Sequence, residues 1–337
     1  MAHRVDDPRA RVEQRWRTGR PVGGVLGCAL MPAAGLFRLA AGAYHAAYDS
    51  GVLRTWRAPV PVISVGNLTV GGTGKTPFTR WLVRRLIDRG ACPGVLHGGY
   101  ADDEPLLHRA WYPDIPVLAG RDRRATATAA VEAGATVLVM DDGFQHRRVA
   151  RDLDIVLIAA ETWTGTAPML PRGPWREPLR ALRRADLVVV TRRSADPDVA
   201  RQVERALADI VPHCARARVH LAPAGWATAA GDTRTGGPGE CVAVAGVGQP
   251  AAFREQALAL GAPITELLEF PDHHRYSAED AAAVLRAADG RAIVTTGKDA
   301  VKLRKLIDPA VVWVLDQQVV VEEGEAALKE TLTRVVP

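Results

Sequence analysis

The stretch PVISVGNLTVGGTGKTP at positions 61–77 constrains the fold more than any other part of the chain. An apolar segment typical of a β-strand runs into a glycine-rich turn, and the next residues, 78–89, have the pattern of a helix. Glycines at a strand-to-helix turn let backbone N–H groups converge on phosphate oxygens. The stretch therefore predicts a phosphate-binding loop, or P-loop, and a fold that alternates strands with helices.

The loop departs from the strict P-loop spacing. That spacing requires glycine at position 69, where this chain has Thr69, and the nearest upstream glycine is Gly66. We still expect this loop to bind nucleotide phosphates. The Lys75 ammonium would offset their negative charge, and the Thr76 hydroxyl would be a ligand for Mg²⁺. The alternative is a plain glycine-rich turn. The predicted phosphate-contacting residues are Gly71, Gly72, Thr73, Gly74, Lys75 and Thr76.

Apolar segments recur along the chain in a strand-like pattern. They lie at 60–65, 94–97, 136–140, 155–159 and 187–191, and a second series lies at 241–246, 264–270, 292–296 and 311–315. Helix candidates between them are 121–133, 251–260, 278–288 and 298–306. This alternation predicts a P-loop NTPase-like, doubly wound parallel sheet and a second, smaller α/β domain.

The predicted domain boundaries follow from the two series of strands. A chain of 337 residues exceeds the usual size of a single core. We expect an N-terminal basic and apolar segment at 1–52, a P-loop domain at 53–215 and a smaller α/β domain at 216–337. The Gly/Thr-rich stretch 227–239 is the expected connecting ribbon.

The N-terminal segment joins an arginine-rich stretch, 9–20, to an apolar one that begins at Pro21. The apolar run before Arg38, about 16 residues, is shorter than the ~20 that span a bilayer. A signal peptide would have a shorter charged region. We expect a membrane-associating helix that lies on or dips into the bilayer, with an ordinary buried helix as the alternative.

Composition narrows the classes of partner. The net charge of +5 suits phosphorylated substrates or an anionic membrane, whereas aromatic residues make up only 5% and no nucleic-acid-binding motif is present. The four cysteines have no CxxC spacing, so neither a zinc site nor a disulfide framework is predicted. We expect no nucleic-acid partner and no obligate protein partner.

Two carboxylates, Asp141 and Asp142, directly follow the predicted strand 136–140. In a doubly wound sheet, this end of the strand lies beside the P-loop, where a metal-binding aspartate is expected. Adjacent carboxylates repel each other, and a divalent cation or a basic partner relieves the repulsion. The alternative is a plain Asp-Asp-Gly turn.

Four further motifs carry candidate chemistry. PDHHRY at 271–276 ends a predicted strand, and its His273 is a candidate for proton handling with a carboxylate, since no partner has zinc spacing. Asp103 and Glu104 supply carboxylates in ADDEPLL, at 101–107. The arginines of LPRGPWREP, at 170–178, are suited to binding phosphate. TTGKDAVK, at 295–302, has the pattern of a strand followed by a helix start.

In this order, SVGNLTVGGTGKTP, DEPLL, DDGFQHRR, LPRGPWREP, AGVGQP, FPDHHRY and TTGKDAVK resemble the tetraacyldisaccharide 4′-kinase family of lipid A biosynthesis. The resemblance implies ATP- and Mg²⁺-dependent phosphorylation of the 4′-hydroxyl of tetraacyldisaccharide 1-phosphate. It also implies a lipid substrate, contact with a membrane surface and a peripheral location on the cytoplasmic face of the bacterial inner membrane.

The resemblance also implies roles for individual residues. Lys75, Asp103 and His273 match catalytic positions, with Asp103 as the base and His273 as its partner. The implied metal positions are Thr76, Asp141, Asp142 and Glu104, and the implied substrate positions are Arg123, Gln145, His146, Arg176 and Glu177.

Three features depart from the family pattern. The segment before DEP is short, Gly98 stands in place of the arginine of SRGYG, and Gly297 stands where glutamate commonly precedes Lys-Asp. If the SRGYG arginine binds the transferred phosphate, its loss would weaken stabilisation of the transition state unless another arginine, such as Arg109 or Arg121, replaces it. The chain is therefore expected to be either a trimmed active kinase or a weakened one.

Two other functions remain open. A P-loop switch that binds GTP would need an N/T-K-x-D element, and Asp299 follows Lys298 directly, which breaks that spacing. A kinase for a different glycolipid acceptor would use the same N-terminal helix. Nucleotide preference and acceptor assays distinguish these alternatives.

Overall fold

The computed structural model describes residues 8–100, 103–229 and 232–336. The start of the predicted N-terminal segment, positions 101–102 of the shortened loop and positions 230–231 of the predicted ribbon lie outside the described residues. The rest forms two compact units. Unit 1 comprises the described parts of Met1–Lys75, Met140–Val219 and Val321–Pro337, and unit 2 those of Thr76–Val139 and His220–Val320. Both units are discontinuous in sequence, and the continuous boundaries 1–52, 53–215 and 216–337 stay a prediction.

The elements alternate as the sequence pattern predicts. The strands are β1 Val62–Asn67, β2 Pro93–His97, β3 Val117–Ala119, β4 Val137–Asp141, β5 Leu153–Ala159, β6 Leu187–Arg192, β7 Ala215–Thr228, β8 Thr233–Arg234, β9 Cys241–Ala245, β10 Ile264–Glu269, β11 Ala292–Thr296 and β12 Val312–Glu323. The helices are α1 Pro8–Arg17, α2 Gly24–Ala29, α3 Met31–Asp49, α4 Lys75–Ile87, α5 Asp103–Trp111, α6 Arg123–Glu132, α7 Pro197–Ile210, α8 Pro250–Ala259, α9 Ala278–Ala288, α10 Gly297–Leu303 and α11 Glu325–Thr333.

Unit 1 is built on parallel strands. β1 pairs with β5, and β5 pairs with β6, with Ile63 opposite Leu153 in the first ladder. Every residue of β1 and β5 is buried, which explains why their sequences are largely apolar. Phe144, Trp175 and Leu182 belong to the adjoining core. This arrangement fixes the carboxyl end of β1, from which the glycine-rich loop emerges.

Unit 2 contains a second parallel arrangement. β9 pairs with β10 and β11, β11 pairs with β12, and β2 pairs with β3, all in parallel, whereas β7 and β8 form an antiparallel pair. The capping box of α9, formed by Ser277 and Asp280, fixes the start of that helix. The predicted α/β class, dominated by parallel strands, is confirmed.

The N-terminal helical stretch is apolar and exposed. Gly24–Asp49 is long and apolar enough to cross a membrane by length and composition, and only 6% of its most apolar window is buried. It is longer than the apolar run recognised in the sequence, because the helix continues beyond Arg38 through an alanine-rich segment. The exposed side chains include Val25, Met31, Leu36 and Leu39.

Candidate functional site

The glycine-rich loop lies between β1 and α4. Gly71 and Gly74 have φ angles of +110° and +85°, which favour glycine because a Cβ would strain the backbone there. Gly66 lies outside this turn and serves packing instead, since a Cβ on it would come within 2.5 Å of the Phe144 Cβ. α4 begins at Lys75, and Thr76 is 5% exposed. The loop thus has the geometry for binding phosphate, although its glycine spacing is not the strict one.

Asp141 and Asp142 end β4 and begin the turn after it. Asp141 is buried, and Asp142 has a left-handed backbone with φ of +58°. Arg176 donates hydrogen bonds of 3.0 Å to both Asp142 carboxylate oxygens, and the Lys75 Nζ lies 3.4 Å from Oδ1. Burial raises the pKa of Asp142, but the charges of Lys75 and Arg176 outweigh it, so the pKa lies well below its usual range. The carboxylate is therefore ionised and held beside the loop lysine.

Gln145 and Glu177 extend this polar group in unit 1. The Gln145 Nε2 donates to the Asn67 carbonyl at 2.8 Å and to the Glu177 Oε1 at 3.0 Å. The Glu177 Oε2 lies 2.9 Å from the His45 Nε2 and accepts from Arg184 at 2.8 Å. Burial raises the pKa of Glu177, but its contacts with His45 and Arg184 lower it overall.

The predicted His146 lies in the turn that follows β4. Its backbone N–H donates to the Gly143 carbonyl at 2.8 Å. His146 therefore belongs to the same turn as Gln145, directly after the Asp141–Asp142 pair.

A cavity of about 420 Å³ opens between this polar group and α3. α3 supplies mostly apolar side chains, the opposite side combines Leu170 with three polar side chains, and the surface of the lining is mainly apolar. The lining residues are Phe37, Ala40, Ala41, Tyr44, His45, Gln145, Leu170, Arg176 and Glu177. The cavity suits a ligand that has both an apolar and a polar part.

In unit 2, Asp103 and His273 form a carboxylate–imidazole pair. The His273 Nδ1 lies 2.9 Å from the Asp103 Oδ2 and 3.1 Å from Oδ1. Asp103 begins α5 with its side chain 3% exposed, whereas the His273 side chain is 43% exposed and its φ is +57°. The pair predicted from two separate motifs is therefore in hydrogen-bond contact within one compact unit.

The electrostatics of the pair favour its ionised state. Burial raises the pKa of Asp103, but the hydrogen bond with His273 and the ammonium groups of Lys298 and Lys302 lower it well below its usual range. The hydrogen bond with Asp103 raises the pKa of His273, although burial opposes this. Asp103 is consequently a carboxylate at neutral pH. The raised pKa of His273 favours the protonated imidazole that contacts it.

Two lysines of α10 contact the carboxylates at the start of α5, a role that the sequence pattern did not predict. The Lys298 Nζ lies 2.6 Å from the Glu104 Oε1, and the Lys302 Nζ lies 3.6 Å from the Asp103 Oδ2. The Lys302 Nζ is also 3.4 Å from the buried Asp299. The i, i+4 spacing of the lysines places both on one helix face, and both lie in the TTGKDAVK motif.

Asp103, Glu104 and His273 also form a candidate cation group. One ligand atom from each lies within 4.8 Å of the others. The two carboxylates already face Lys298 and Lys302, which offset their charge. The predicted role of Glu104 as a metal ligand stays a prediction.

The structure explains two of the three departures from the family pattern in terms of local packing. A Cβ at Gly98 would lie 2.7 Å from the Tyr100 ring and 3.6 Å from an Arg123 nitrogen, so Arg123 already occupies the neighbourhood of the missing arginine. A Cβ at Gly297 would lie 3.3 Å from the Leu107 Cδ1, so a larger residue there would require a small shift of that leucine side chain.

The two arginines considered as replacements have other contacts. Arg109 donates to the Val117 carbonyl at 3.2 and 2.9 Å, which ties it to β3. Arg121 lies over the exposed Tyr100 ring, 5.9 Å from its centroid. Arg123, 2% exposed, is the arginine nearest to position 98 among these three.

The alternating fold, the glycine-rich loop and the acidic turn after β4 define a P-loop nucleotide-binding α/β protein. The family model of tetraacyldisaccharide-1-P 4′-kinase matches residues 26–337. The chain belongs to the tetraacyldisaccharide 4′-kinase family, whose members transfer phosphate to a hydroxyl group.

Named relatives agree with this assignment. The tetraacyldisaccharide 4′-kinase of Anaeromyxobacter sp. (strain Fw109-5) is 40% identical and covers 95% of each chain, and that of Halorhodospira halophila is 38% identical over 91% of this chain and 93% of the relative. The crystal structure of LpxK from Aquifex aeolicus in complex with ATP is similar, with a TM-score of 0.75 and 28% identity, over 93% of this chain and 100% of that chain.

Proposed function

We propose that this protein transfers the γ-phosphoryl group of ATP to the 4′-hydroxyl of tetraacyldisaccharide 1-phosphate, a lipid A precursor. The observation that carries the proposal is the Asp103–His273 pair, 2.9 Å apart, in a P-loop chain of this family. A nucleotide switch has no need of a carboxylate–imidazole pair beside a cluster of lysines. A kinase with a hydroxyl acceptor needs a group that receives the proton.

On the acceptor side, we propose that Asp103 receives the proton of the sugar hydroxyl. Phosphoryl transfer has a loose transition state, so the proton leaves late and a weak base suffices. The lowered pKa of Asp103 suits this role, because the carboxylate stays ionised and ready to accept. His273 orients the carboxylate through Nδ1, and Lys298 and Lys302 balance its charge.

On the nucleotide side, we propose that the loop residues 71–76 bind the ATP phosphates and that Lys75 neutralises developing charge. Mg²⁺ fits the donors present, since it prefers oxygen ligands and Asp142 is kept ionised by two cations. Thr76, Asp141 and Asp142 would hold the ion. When bound, it neutralises charge on the β- and γ-phosphates.

We assign the lipid to the cavity between α3 and the polar group of unit 1. The apolar wall suits acyl chains, and Gln145, Arg176 and Glu177 offer donors and acceptors to a sugar headgroup. His146 follows in the same turn. Arg123 lies beside Gly98, the position of the missing SRGYG arginine. We propose that Arg123 contacts phosphate in place of that arginine.

We further propose a peripheral location on the cytoplasmic face of the inner membrane. The support is the exposed apolar surface of α2 and α3, where Val25 is 89% exposed and Leu36 is 70% exposed. A cytoplasmic face gives access to ATP, and the arginine-rich stretch 9–20 that precedes the apolar helix in sequence favours anionic headgroups.

The test is transfer of radioactive phosphate from ATP to tetraacyldisaccharide 1-phosphate in detergent. We expect wild type to label the lipid, Asp103→Asn to lower the rate about 10²–10⁴-fold, and Lys75→Ala to lower it about 10²–10³-fold. Asp114→Asn and Lys305→Ala, both at exposed positions, are the matched controls and should stay near wild type. ATP binding without lipid labelling by the wild type would contradict the proposal and favour a weakened kinase, a switch or another acceptor.

A further inference from the structure

A residue near the end of β6 and one in the turn after it donate hydrogen bonds to backbone carbonyls of the P-loop. The Thr191 Oγ1 donates a 2.9 Å hydrogen bond to the Thr73 carbonyl, and the Arg193 Nη1 donates a 2.6 Å bond to the Gly72 carbonyl. We propose that Thr191 and Arg193 are positioning residues for the phosphates of the bound nucleotide and that they act through these two carbonyls. This inference rests on the proposed nucleotide site.

The geometry of the peptide bond links these carbonyls to the phosphate-binding N–H groups. In a trans peptide, the C=O of one residue and the N–H of the next point in opposite directions. When Thr191 holds the Thr73 carbonyl toward β6, the Gly74 N–H therefore points away from β6. Arg193 fixes the Gly72–Thr73 peptide in the same way, but the N–H of that peptide, the Thr73 N–H, donates to the Gly71 carbonyl at 3.0 Å. Arg193 therefore braces the turn that precedes Gly74, and the Gly74 N–H is the group that the loop offers to phosphate oxygens.

The hydrogen bond between Thr191 and Thr73 is buried. Thr191 is 1% exposed and Thr73 is 4% exposed, so water cannot readily replace the bond. The Asn67 Nδ2 donates to the Thr73 Oγ1 at 2.8 Å, and Asn67 is fully buried. The side chain and the carbonyl of Thr73 are consequently both fixed, one by β1 and the other by β6.

Glu161 fixes the segment that carries Arg193. Its Oε1 accepts hydrogen bonds from the backbone N–H groups of Arg193, Ser194 and Ala195, at 2.5, 3.2 and 3.2 Å. One carboxylate oxygen thus orders the turn after β6, so the guanidinium that reaches Gly72 projects from a defined backbone. Loop and turn form one hydrogen-bonded group within unit 1.

The experiment measures Mg-ATP binding to the full chain by calorimetry, which needs no lipid acceptor. Thr191→Val keeps the side-chain shape and removes the donor, and we expect ATP to bind about tenfold more weakly. Thr191→Ser keeps the hydroxyl and should bind ATP within about threefold of wild type. Arg193→Met should weaken binding to a similar extent, and Arg193→Lys should recover part of the loss.

Two matched variants separate positioning from general destabilisation. The Thr295 Oγ1 makes the same kind of bond, 2.7 Å to the Val244 carbonyl, and Thr295 is fully buried in unit 2. Thr295→Val should lower the melting temperature and leave ATP affinity unchanged. Arg205→Met removes an exposed charge from α7 in unit 1 and should also leave affinity unchanged.

Each outcome decides the inference. An affinity of Thr191→Val within twofold of wild type overturns it, as does an equal loss in Thr295→Val. If the wild type binds ATP but does not label the lipid, the proposed kinase activity is overturned. The inference on Thr191 and Arg193 is still supported in that case when Thr191→Val weakens ATP binding. Absence of ATP binding by the wild type overturns both.

Discussion

At the scale of single residues, the strongest constraints come from buried charges with more than one partner. Glu177 contacts His45, Gln145 and Arg184, and its side chain is 1% exposed. Removing its charge leaves the Arg184 guanidinium with a neutral partner in a buried setting. Such losses are more costly than the breaking of surface ion pairs.

We expect Glu177→Gln to lower the free energy of unfolding by about 2 kcal/mol at pH 7.5. Because the folded-state pKa of Glu177 is lowered, its charge contributes stability that is fully present above the unfolded-state pKa and is lost as the pH falls through the folded-state pKa. The difference from wild type should be constant above about pH 5 and shrink below about pH 4.3. Urea unfolding at several pH values measures it.

The exposed Glu240→Gln is the control for this experiment. It should match wild type at every pH. A difference for Glu177→Gln that stays constant into the acid range would assign the loss to packing and not to charge.

Lys302 gives a second prediction at this scale. Its ammonium lies 3.6 Å from the Asp103 Oδ2 and is anchored by Asp299, so Lys302→Met removes a counter-charge from the carboxylate that we propose as the proton acceptor. We expect kcat to fall about tenfold with little change in the KM for ATP. Steady-state kinetics with Lys302→Arg as the rescue and Lys305→Met as the control tests this. An unchanged kcat would show that Lys302 serves only packing.

At the scale of elements, the sequence predicted strands that are buried on both faces. β1, β4, β5 and β9 are buried throughout, and their sequences are largely apolar. β7 was not recognised, because its sequence ARARVHLAPAGWAT mixes arginines, Pro223 and Gly225 with apolar residues, and its burial follows no regular pattern. Pairing with neighbours, which no local pattern reveals, stabilises such a strand.

The candidate site divides in the same way. The glycine-rich loop and the Asp141–Asp142 pair are local patterns, so they could be found from sequence. The contacts of Thr191 with Thr73 and of Glu104 with Lys298 join residues 118 and 194 positions apart. Only the fold brings these residues together, and the family resemblance supplied the pairing of Asp103 with His273.

α3 is the element for which a membrane role can be tested directly. Leu36 and Leu39, 70% and 72% exposed, lie on one face, whereas Phe37, Ala41 and Tyr44 line the cavity. We expect Leu36→Glu combined with Leu39→Glu to weaken binding to anionic phospholipid vesicles at least about tenfold, since each exposed leucine contributes apolar area to the bilayer. Vesicle flotation measures the effect.

Leu285→Glu, at a 45% exposed leucine of α9, is the control for a new surface charge. It should float with vesicles as wild type does. Equal flotation of the Leu36/Leu39 variant and wild type would contradict a membrane role for this face of the helix.

At the scale of the whole molecule, nucleotide binding couples to stability. A ligand that binds only the folded state stabilises it by about 2.7 kcal/mol at 100 times its dissociation constant. We expect Mg-ATP at that excess to raise the melting temperature by about 5 °C. Mg-GTP should have a smaller effect, and Lys75→Ala should abolish the response. A larger rise of the melting temperature with Mg-GTP than with Mg-ATP, together with a similar rise with GDP, would favour a nucleotide switch.

The left-handed backbone at Asp142 and His273 has a consequence for protein engineering. Residues with positive φ are uncommon outside glycine, and aspartate and histidine are among the types that tolerate them best. Glycine would relax both positions, so a laboratory selection for heat resistance alone would tend to enrich it there. The enriched variants would lose the carboxylate beside Lys75 and the imidazole beside Asp103. A library built to stabilise this enzyme should therefore keep positions 142 and 273 fixed.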